Sequence, residues 1–293
     1  MNIKRILVFV VSILLSSTIA YGSVLALNMK LGYRAVDIYV DDDANENWYN
    51  NPNNFRTIQS AVDYANTENL EKVRINVKPG TYHEHIVLYN TAEYFSIIGS
   101  LSNPRETILD GDGTGVVVEI KGSYDWFFLS GFTIQNGEIG IKIVENEWIE
   151  YVHFGVSKNI IQQNTIGVEI MDTFCYGYGR VYNNDFKNND QHALDQGTDE
   201  YGHHVMRWED FVGDFITGRD EGNYWDDYTG VDSDGNGIGD TPYCVPGVEN
   251  KDDYPLMKPK FKSQPKLVIQ PLISQILQKF FQQFPLISRL LKL

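Results

Sequence analysis

The chain has 293 residues, 42% of them hydrophobic, and a formal net charge of -15. That length and apolar content allow one large domain or two small ones, each with a real core. Such acidity repels nucleic acid and anionic lipid and attracts cations, so nucleic acid is excluded as a partner of the body. The basic residues Lys258, Lys260, Lys262, Lys266, Lys279, Arg289 and Lys292 follow the last acid, so only the C-terminal tail can meet an anionic surface.

Residues 1–22 have the organisation of a secretory signal: Lys4 and Arg5, the apolar run Ile6 to Leu15, then small residues up to Ala20-Tyr21-Gly22. A retained membrane anchor is the competing assignment, although the run is short for a span of about 20 residues. Either way the body lies outside the cytoplasm, as a secreted, cell-surface or periplasmic protein. An exported protein can pair its two cysteines, Cys175 and Cys244, but two buried thiols fit the sequence equally well.

From residue 36 to 200, short β-rich runs alternate with Gly, Asn and Asp: Val73 to Val77, His85 to Leu88, Phe95 to Ile98, Val116 to Ile120, Phe127 to Leu129, Phe132 to Ile134, Ile139 to Val144. Runs this short, with no long helical pattern between them, predict a mostly β region. "FTIQNGEIGIKI" (132–143) recurs as "IIQQNTIGVEI" (160–170) and more faintly as "NDFKNNDQHAL" (184–194), aligning Asn136, Asn164 and Asn189 at spacings of 28 and 25. A repeat of that length predicts an all-β right-handed parallel β-helix, in which stacked turns bury one apolar column and turn asparagines ladder. "FRTIQSAVDYAN" (55–66) places Ile58, Ala61, Val62 and Ala65 on one helical face, which suits an N-terminal cap.

Residues 201–257 lose the repeat and become acidic and aromatic. Within them "VDSDGNGIGD" (231–240) follows a calcium-loop pattern: Asp232, Asp234 and Asn236 at positions 1, 3 and 5, Gly237 at the turn, the Ile238 carbonyl at 7 and Asp240 at 9. Position 12 is Tyr243 rather than Glu, so the last ligand is a water or comes from elsewhere, with Asp226, Asp227, Asp252 and Asp253 the nearest candidates. A structural Ca²⁺ site is the expectation, and a polar turn without metal its alternative. Residues 258–270 form a linker. In 271–293, Ile273, Leu277, Phe280, Phe284, Ile287 and Leu291 make an amphipathic helical stripe interrupted at Pro285. Three placements are open to that tail: capping the solenoid, self-association, or lying on a membrane surface.

The ordered set "YVDDD" (39–43), "TIQSAVDYA" (57–65), "VKPGTYHEHIVL" (77–88), "SIIGS" (96–100), "TILDGDGTG" (107–115), "LSGFTIQNG" (129–137) and "GNYWDDYTGVDSDGNGIGDTPY" (222–243) resembles NosD-type right-handed parallel β-helix proteins, which are pectin-lyase-like and exported. The resemblance spans residues 36–257, with the Gly222–Met257 block as its most specific part. It implies a copper-handling periplasmic accessory or, as in relatives sharing the coil, binding or cleavage of carbohydrate. Copper favours Met, Cys and His clusters, and the candidates are His83 and His85, expected on one face of a strand, and His203 and His204 beside Met206.

A glycosidase or lyase of this architecture needs clustered carboxylates, for which Asp110, Asp112, Asp185, Asp195, Asp199 and Glu200 with Arg180 are available. The paired-aspartate, His-Gly and Arg-Ile-Lys signatures of those enzymes are absent, so no catalytic residue is assigned. The expected role is non-catalytic: a scaffold, or a binder of polysaccharide or of surface-layer proteins through its aromatic side chains.

Overall fold

The computed structural model describes residues 35–89, 92–121, 126–144, 153–171, 178–197, 206–208 and 221–262. The expected signal segment, Cys175, Asp199, Glu200, His203, His204 and the helical tail lie outside these residues.

Three parallel sheets of eight, six and five strands run the length of the body. Each coil gives one strand to each sheet. Coil 1 comprises Lys72–Val77, Gly80–His83 and Ile86–Leu88; coil 2, Tyr94–Ile98, Thr107–Asp110 and Val116–Ile120; coil 3, Trp126–Ser130, Thr133–Gln135 and Ile139–Ile143. Coil 4 comprises His153–Ser157, Ile160–Gln162 and Ile166–Ile170, and coil 5, Tyr178–Tyr182, Asp185–Lys187 and Gln191–Asp195. Val36–Val40 precedes coil 1 on the first sheet, with Asn54–Phe55 at its edge. The β-rich runs seen in the sequence thus form an all-β parallel solenoid.

Register makes the core a set of columns. On the second sheet Tyr82, Leu109, Ile134, Ile161, Phe186 and Trp225 stack strand over strand, all buried. On the third, Ile86, Val118, Ile141, Val168 and Ala193 do the same. No coil has a core of its own, so each depends on its neighbours for burial.

Helix α1 (Ile58–Thr67) buries Ile58, Ala61, Val62 and Ala65, the face expected from the spacing, and packs on the first strands of the solenoid. Thr57 caps it by accepting from the Ser60 amide. Glu84, just past the second strand of coil 1, accepts from the amides of Ile58 (2.8 Å) and Gln59 (2.9 Å) at the positive end of the helix. Burial pushes the Glu84 carboxyl up, the two amide hydrogen bonds only partly oppose this, and the net shift is upward. Folded Glu84 therefore holds its proton to higher pH than the unfolded chain does. Its contribution is fully present below the ordinary Glu value, about 4.3, and is lost as pH rises through the raised value. Glu84→Gln is expected to flatten that arm of the stability profile, measured as unfolding midpoint against pH; an unchanged slope would refute this.

The turn asparagines form two ladders, and their register differs by one residue from the alignment proposed above. Gly137, Asn164 and Asn189 are the true counterparts: the Asn164 side chain accepts from Gly137 N, and that of Asn189 from Asn164 N, across 27 and 25 residues. Asn136 sits one place earlier, in the left-handed turn conformation shared with Gln163 and Asn188. A second ladder, Asn159, Asn184 and Asn223, runs between the first and second sheets and is fully buried. Its signal was present in "NIIQQN" (159–164) and "NDFKNN" (184–189), which carry Asn at both ends of the same six-residue frame.

The solenoid continues past residue 200. Met206–Arg207 pairs with coil 5 on the first sheet and Tyr224–Trp225 on the second, so the segment assigned as irregular begins as a sixth, partial coil. Residues 258–262 are likewise not a free linker: Lys260 N donates to Asp185 Oδ1 at 2.8 Å and its ammonium to Glu221 at 2.8 Å. Two buried aspartates close this end. Asp195 terminates the column Leu88, Ile120, Ile143, Ile170 and accepts from Trp208 Nε1 (2.8 Å), Asn250 Nδ2 (2.9 Å) and Gly197 N (2.9 Å). Gly247, at φ +124°, approaches Asp195 so closely that a Cβ there would lie 1.7 Å from its carbonyl oxygen. Asp252 accepts from Asn223 N, Trp225 Nε1 and Tyr254 N, at 2.7, 2.9 and 3.0 Å. At the same end the Phe186, Trp225 and Tyr243 rings stack in sequence, with centroid distances of 4.3 and 4.1 Å.

Candidate functional site

An open groove of about 600 Å³ crosses the turns between the second and third sheets. Asp110, Asp112, Asn136, Gln163, Asn188 and Asp190 line it, several of them held in left-handed turns that present polar groups to the same side.

At one end of the groove, strand register places His83 directly opposite Asp110. Asp112, at φ +53°, turns back so that its Oδ1 lies 2.7 Å from His83 Nδ1. Asp110 is nearly buried and receives Gln135 Nε2 (2.8 Å), Asn136 Nδ2 (2.8 and 3.0 Å) and the Asp112 amide (3.0 Å). Burial pushes its carboxyl up, but the hydrogen bonds and nearby His83 outweigh burial and hold it below the ordinary range. The three side chains offer ligand atoms within 4.8 Å of one another.

His85 does not join them. The strand ends at His83, and His85 lies between strands with its Nδ1 2.8 Å from the Val116 carbonyl, so the expected same-face pair is not formed.

Sequence reasoning missed a second His-Asp group. His192 is buried, its Nε2 2.8 Å from Asp226 and 3.4 Å from Asp227, its Nδ1 3.2 Å from Asn189 Nδ2. With the Asn189 amide donating to Nδ1, Nε2 carries the proton and donates to Asp226. Both ring nitrogens are committed, and the group ties coil 5 to the partial coil.

In the acidic loop, Asp232, Asp234 and Asp240 converge within the same 4.8 Å limit. The loop amides turn inward: Asn236 N bonds Asp232 and Asp234 at 3.0 Å, Gly237 N bonds Asp232 at 3.0 Å, and Ser233 N bonds Asp240 at 2.9 Å. The Asn236 side-chain oxygen accepts from Ile238 N (2.7 Å), and Ile238 pairs with Leu256. Hydrogen bonds from Ser233 hold Asp240 below the usual carboxylate range. None of the four aspartates considered for the last ligand belongs to this group: Asp226 and Asp227 face His192, Asp252 faces Trp225, and Asp253 pairs with Lys251 at 2.7 Å.

Among the described residues, the carboxylates considered for catalysis do not converge either. Asp185 and Asp195 are buried in separate structural roles, and Arg180 lies on the first sheet, with only Asp110 and Asp112 sharing the groove.

The sequence matches the family described as periplasmic copper-binding protein (NosD) over residues 23–230. No curated protein and no solved structure matches the chain. The family match ends at residue 230, just before the acidic loop. Among the described residues no helix is long and apolar enough to cross a membrane, and the family's periplasmic description agrees with an extracytoplasmic location. Reduced copper prefers thiolate and thioether ligands, yet among the described residues Cys244 joins none of the donor groups. Oxidised copper accepts imidazole with carboxylate oxygens, which is the donor set of His83, Asp110 and Asp112. The match covers more than half of the sequence, and the parallel solenoid accords with it: the chain belongs to the NosD family of periplasmic copper-binding proteins.

Proposed function

We propose that the chain acts outside the cytoplasm as a non-catalytic β-helix that binds polysaccharide on the outer face of its first sheet. The observation that carries this reading is an aromatic group on that sheet: Tyr94 meets Phe128 across adjacent strands at a centroid distance of 5.9 Å, and Trp126, 47% exposed, stacks on Phe128 along the same strand at 6.4 Å. Flat rings held by a rigid sheet suit the C–H faces of sugars. Asp110, kept ionised in the groove, is unsuited to be a general acid, which favours binding over glycoside hydrolysis. Affinity electrophoresis against neutral and acidic polysaccharides tests the proposal. Retardation by at least one, weakened about tenfold by Trp126→Ala, is expected; no retardation by any, or an unaffected variant, would overturn it.

The acidic loop is proposed as a structural calcium site that stiffens the C-terminal segment. Convergence of three carboxylates supports it, since a cation would relieve their repulsion. Calcium at about 100 times its dissociation constant would stabilise the fold by about 2.7 kcal/mol. A calcium-dependent rise in unfolding midpoint, reversed by chelator and lost in Asp234→Ala, is the expected result; midpoints indifferent to calcium would dismiss the site.

The family match favours a second reading, a copper-handling periplasmic accessory. Here His83, Asp110 and Asp112 would hold the ion, and copper would supply coordination of a further ligand from the groove. Gln135 and Asn136 orient the Asp110 carboxylate.

A further inference from the structure

We infer that the polar groove over coils 2 to 5 binds an oligosaccharide of amino sugars, with free amines, through the side chains of its turns. The groove lies between the second and third sheets, so this site is separate from the first-sheet surface and stands or falls without it.

The coils build the groove by repetition. Asp112, Asn136, Gln163 and Asn188, one from each of four consecutive coils, adopt the left-handed conformation at φ +53°, +57°, +56° and +52° and line the same side. Parallel strands step by about 4.8 Å, so Asp112 in coil 2 and Asp190 in coil 5 stand roughly 14 Å apart along the axis. Among the described residues the lining includes Asp110, Asp112 and Asp190 and no Lys or Arg.

Acids mark the two ends and amides the middle. Asp112 gives one oxygen to His83 and keeps the other, on a side chain that is 63% exposed. Asp190 bonds Asn164 through its backbone amide, and among the described residues its exposed carboxylate enters no ion pair. Asp110 already accepts from Gln135, Asn136 and Asp112, so it adds charge rather than a contact. Between the ends, Asn136 engages only the nitrogen of its side chain, with Asp110, and Gln163 only its oxygen, with Gln162 at 3.3 Å. Asn188 bonds Asp226 through its backbone amide, which leaves its side chain to the groove.

That distribution selects the ligand. A single metal ion serves one end only, because the ligand atoms within 4.8 Å of one another belong to His83, Asp110 and Asp112, and Asp190 is outside their group. A linear polyamine reaches both acids, but its methylenes would cover the central amides and leave their hydrogen bonds unmade. An anionic sugar meets like charge at both ends. Amino sugars supply both parts: ammonium groups for charge-assisted bonds to Asp112 and Asp190, and hydroxyls that donate and accept for the amides between. The net charge of -15 also draws such a cation toward the chain.

Calorimetry of the full chain with a glucosamine oligomer, at a pH where its amines are protonated, tests the inference. One oligomer is expected to bind per chain, with its fully N-acetylated counterpart and a linear tetraamine each at least tenfold weaker. Asp190→Asn and Gln163→Gly, the second chosen because glycine suits the left-handed turn, should each weaken the oligomer about three- to fivefold. Asp43→Asn makes the same change in net charge outside the groove and should leave affinity unchanged. Equal affinity for the N-acetylated oligomer would remove the role of the acids, and equal affinity for the tetraamine that of the amides. A loss matched by Asp43→Asn would reduce binding to bulk charge; each of these results, like no binding at all, overturns the inference. Binding lost in Trp126→Ala but kept in Asp190→Asn would place the oligomer on the first sheet, overturning the groove and sparing the polysaccharide reading.

Discussion

Asp252→Ala is expected to destabilise the protein by about 3–5 kcal/mol, the range for removing one partner of a buried charged network. The carboxylate is fully buried and accepts from the backbone amides of Asn223 and Tyr254 and the indole of Trp225, and more distantly, at 3.4 Å, from the Asn223 side-chain amide. Alanine gives none of them a replacement, and each buried donor left bare costs about 1–3 kcal/mol. The loss also lies where it spreads least safely. Trp225 is the last ring of the second-sheet column among the described residues, stacked between Phe186 and Tyr243. Asp252→Asn keeps one acceptor oxygen but turns an amide donor toward N–H groups, so it should fall between wild type and alanine. Chemical denaturation followed by tryptophan emission measures both. A loss below about 1 kcal/mol for alanine would show that water reaches these donors and that the C-terminal closure is looser than its hydrogen bonds imply.

Much of this architecture was legible in the sequence because it depends on periodic burial. The strand runs, the buried face of α1 and the repeat each follow from spacing alone, and each reappears as an element of the solenoid. Turn asparagines were recognised as structural, but their alignment slipped by one because Asn136 and Gly137 compete for the same place and glycine leaves no side chain to match. The Asn184 to Asn223 rung spans 39 residues, so a repeat search set to 25–28 passes over it. The candidate site was only half legible. His83 stood out, but its partners depend on which strand lies over which, and register is a property of the whole coil rather than of a motif. "HEH" suggested a two-histidine face because alternation was carried past His83, where the strand ends. The acidic loop was found for the opposite reason: its donors are close in sequence and need no register.

Asn184→Ala carries the second large effect, about 2–4 kcal/mol, because this side chain is the middle rung of the buried ladder. Its oxygen accepts from both the backbone and side-chain nitrogens of Asn159, at 3.0 and 3.1 Å. Its amide donates to the carbonyls of Val156 and Tyr182, at 2.9 and 3.0 Å, and to Asn223 Oδ1 at 3.1 Å. Alanine therefore strands a buried N–H in coil 4 and a buried carbonyl on the first sheet, and leaves a small void between coils. Asn159→Ala alone should cost less, since Asn184 still bonds Asn223 and the sheet carbonyls. The two changes together should cost less than their sum, because the second removes part of what the first left unpaired. In a solenoid each coil is held chiefly by its neighbours, so a broken middle rung also uncouples the coils on either side. Hydrogen exchange should then speed in coil 5 and the partial coil before it does in coils 1 and 2. Strict additivity, or uniform loss of protection along the chain, would mean that the ladder decorates the turns and that the apolar columns alone hold the coils in register.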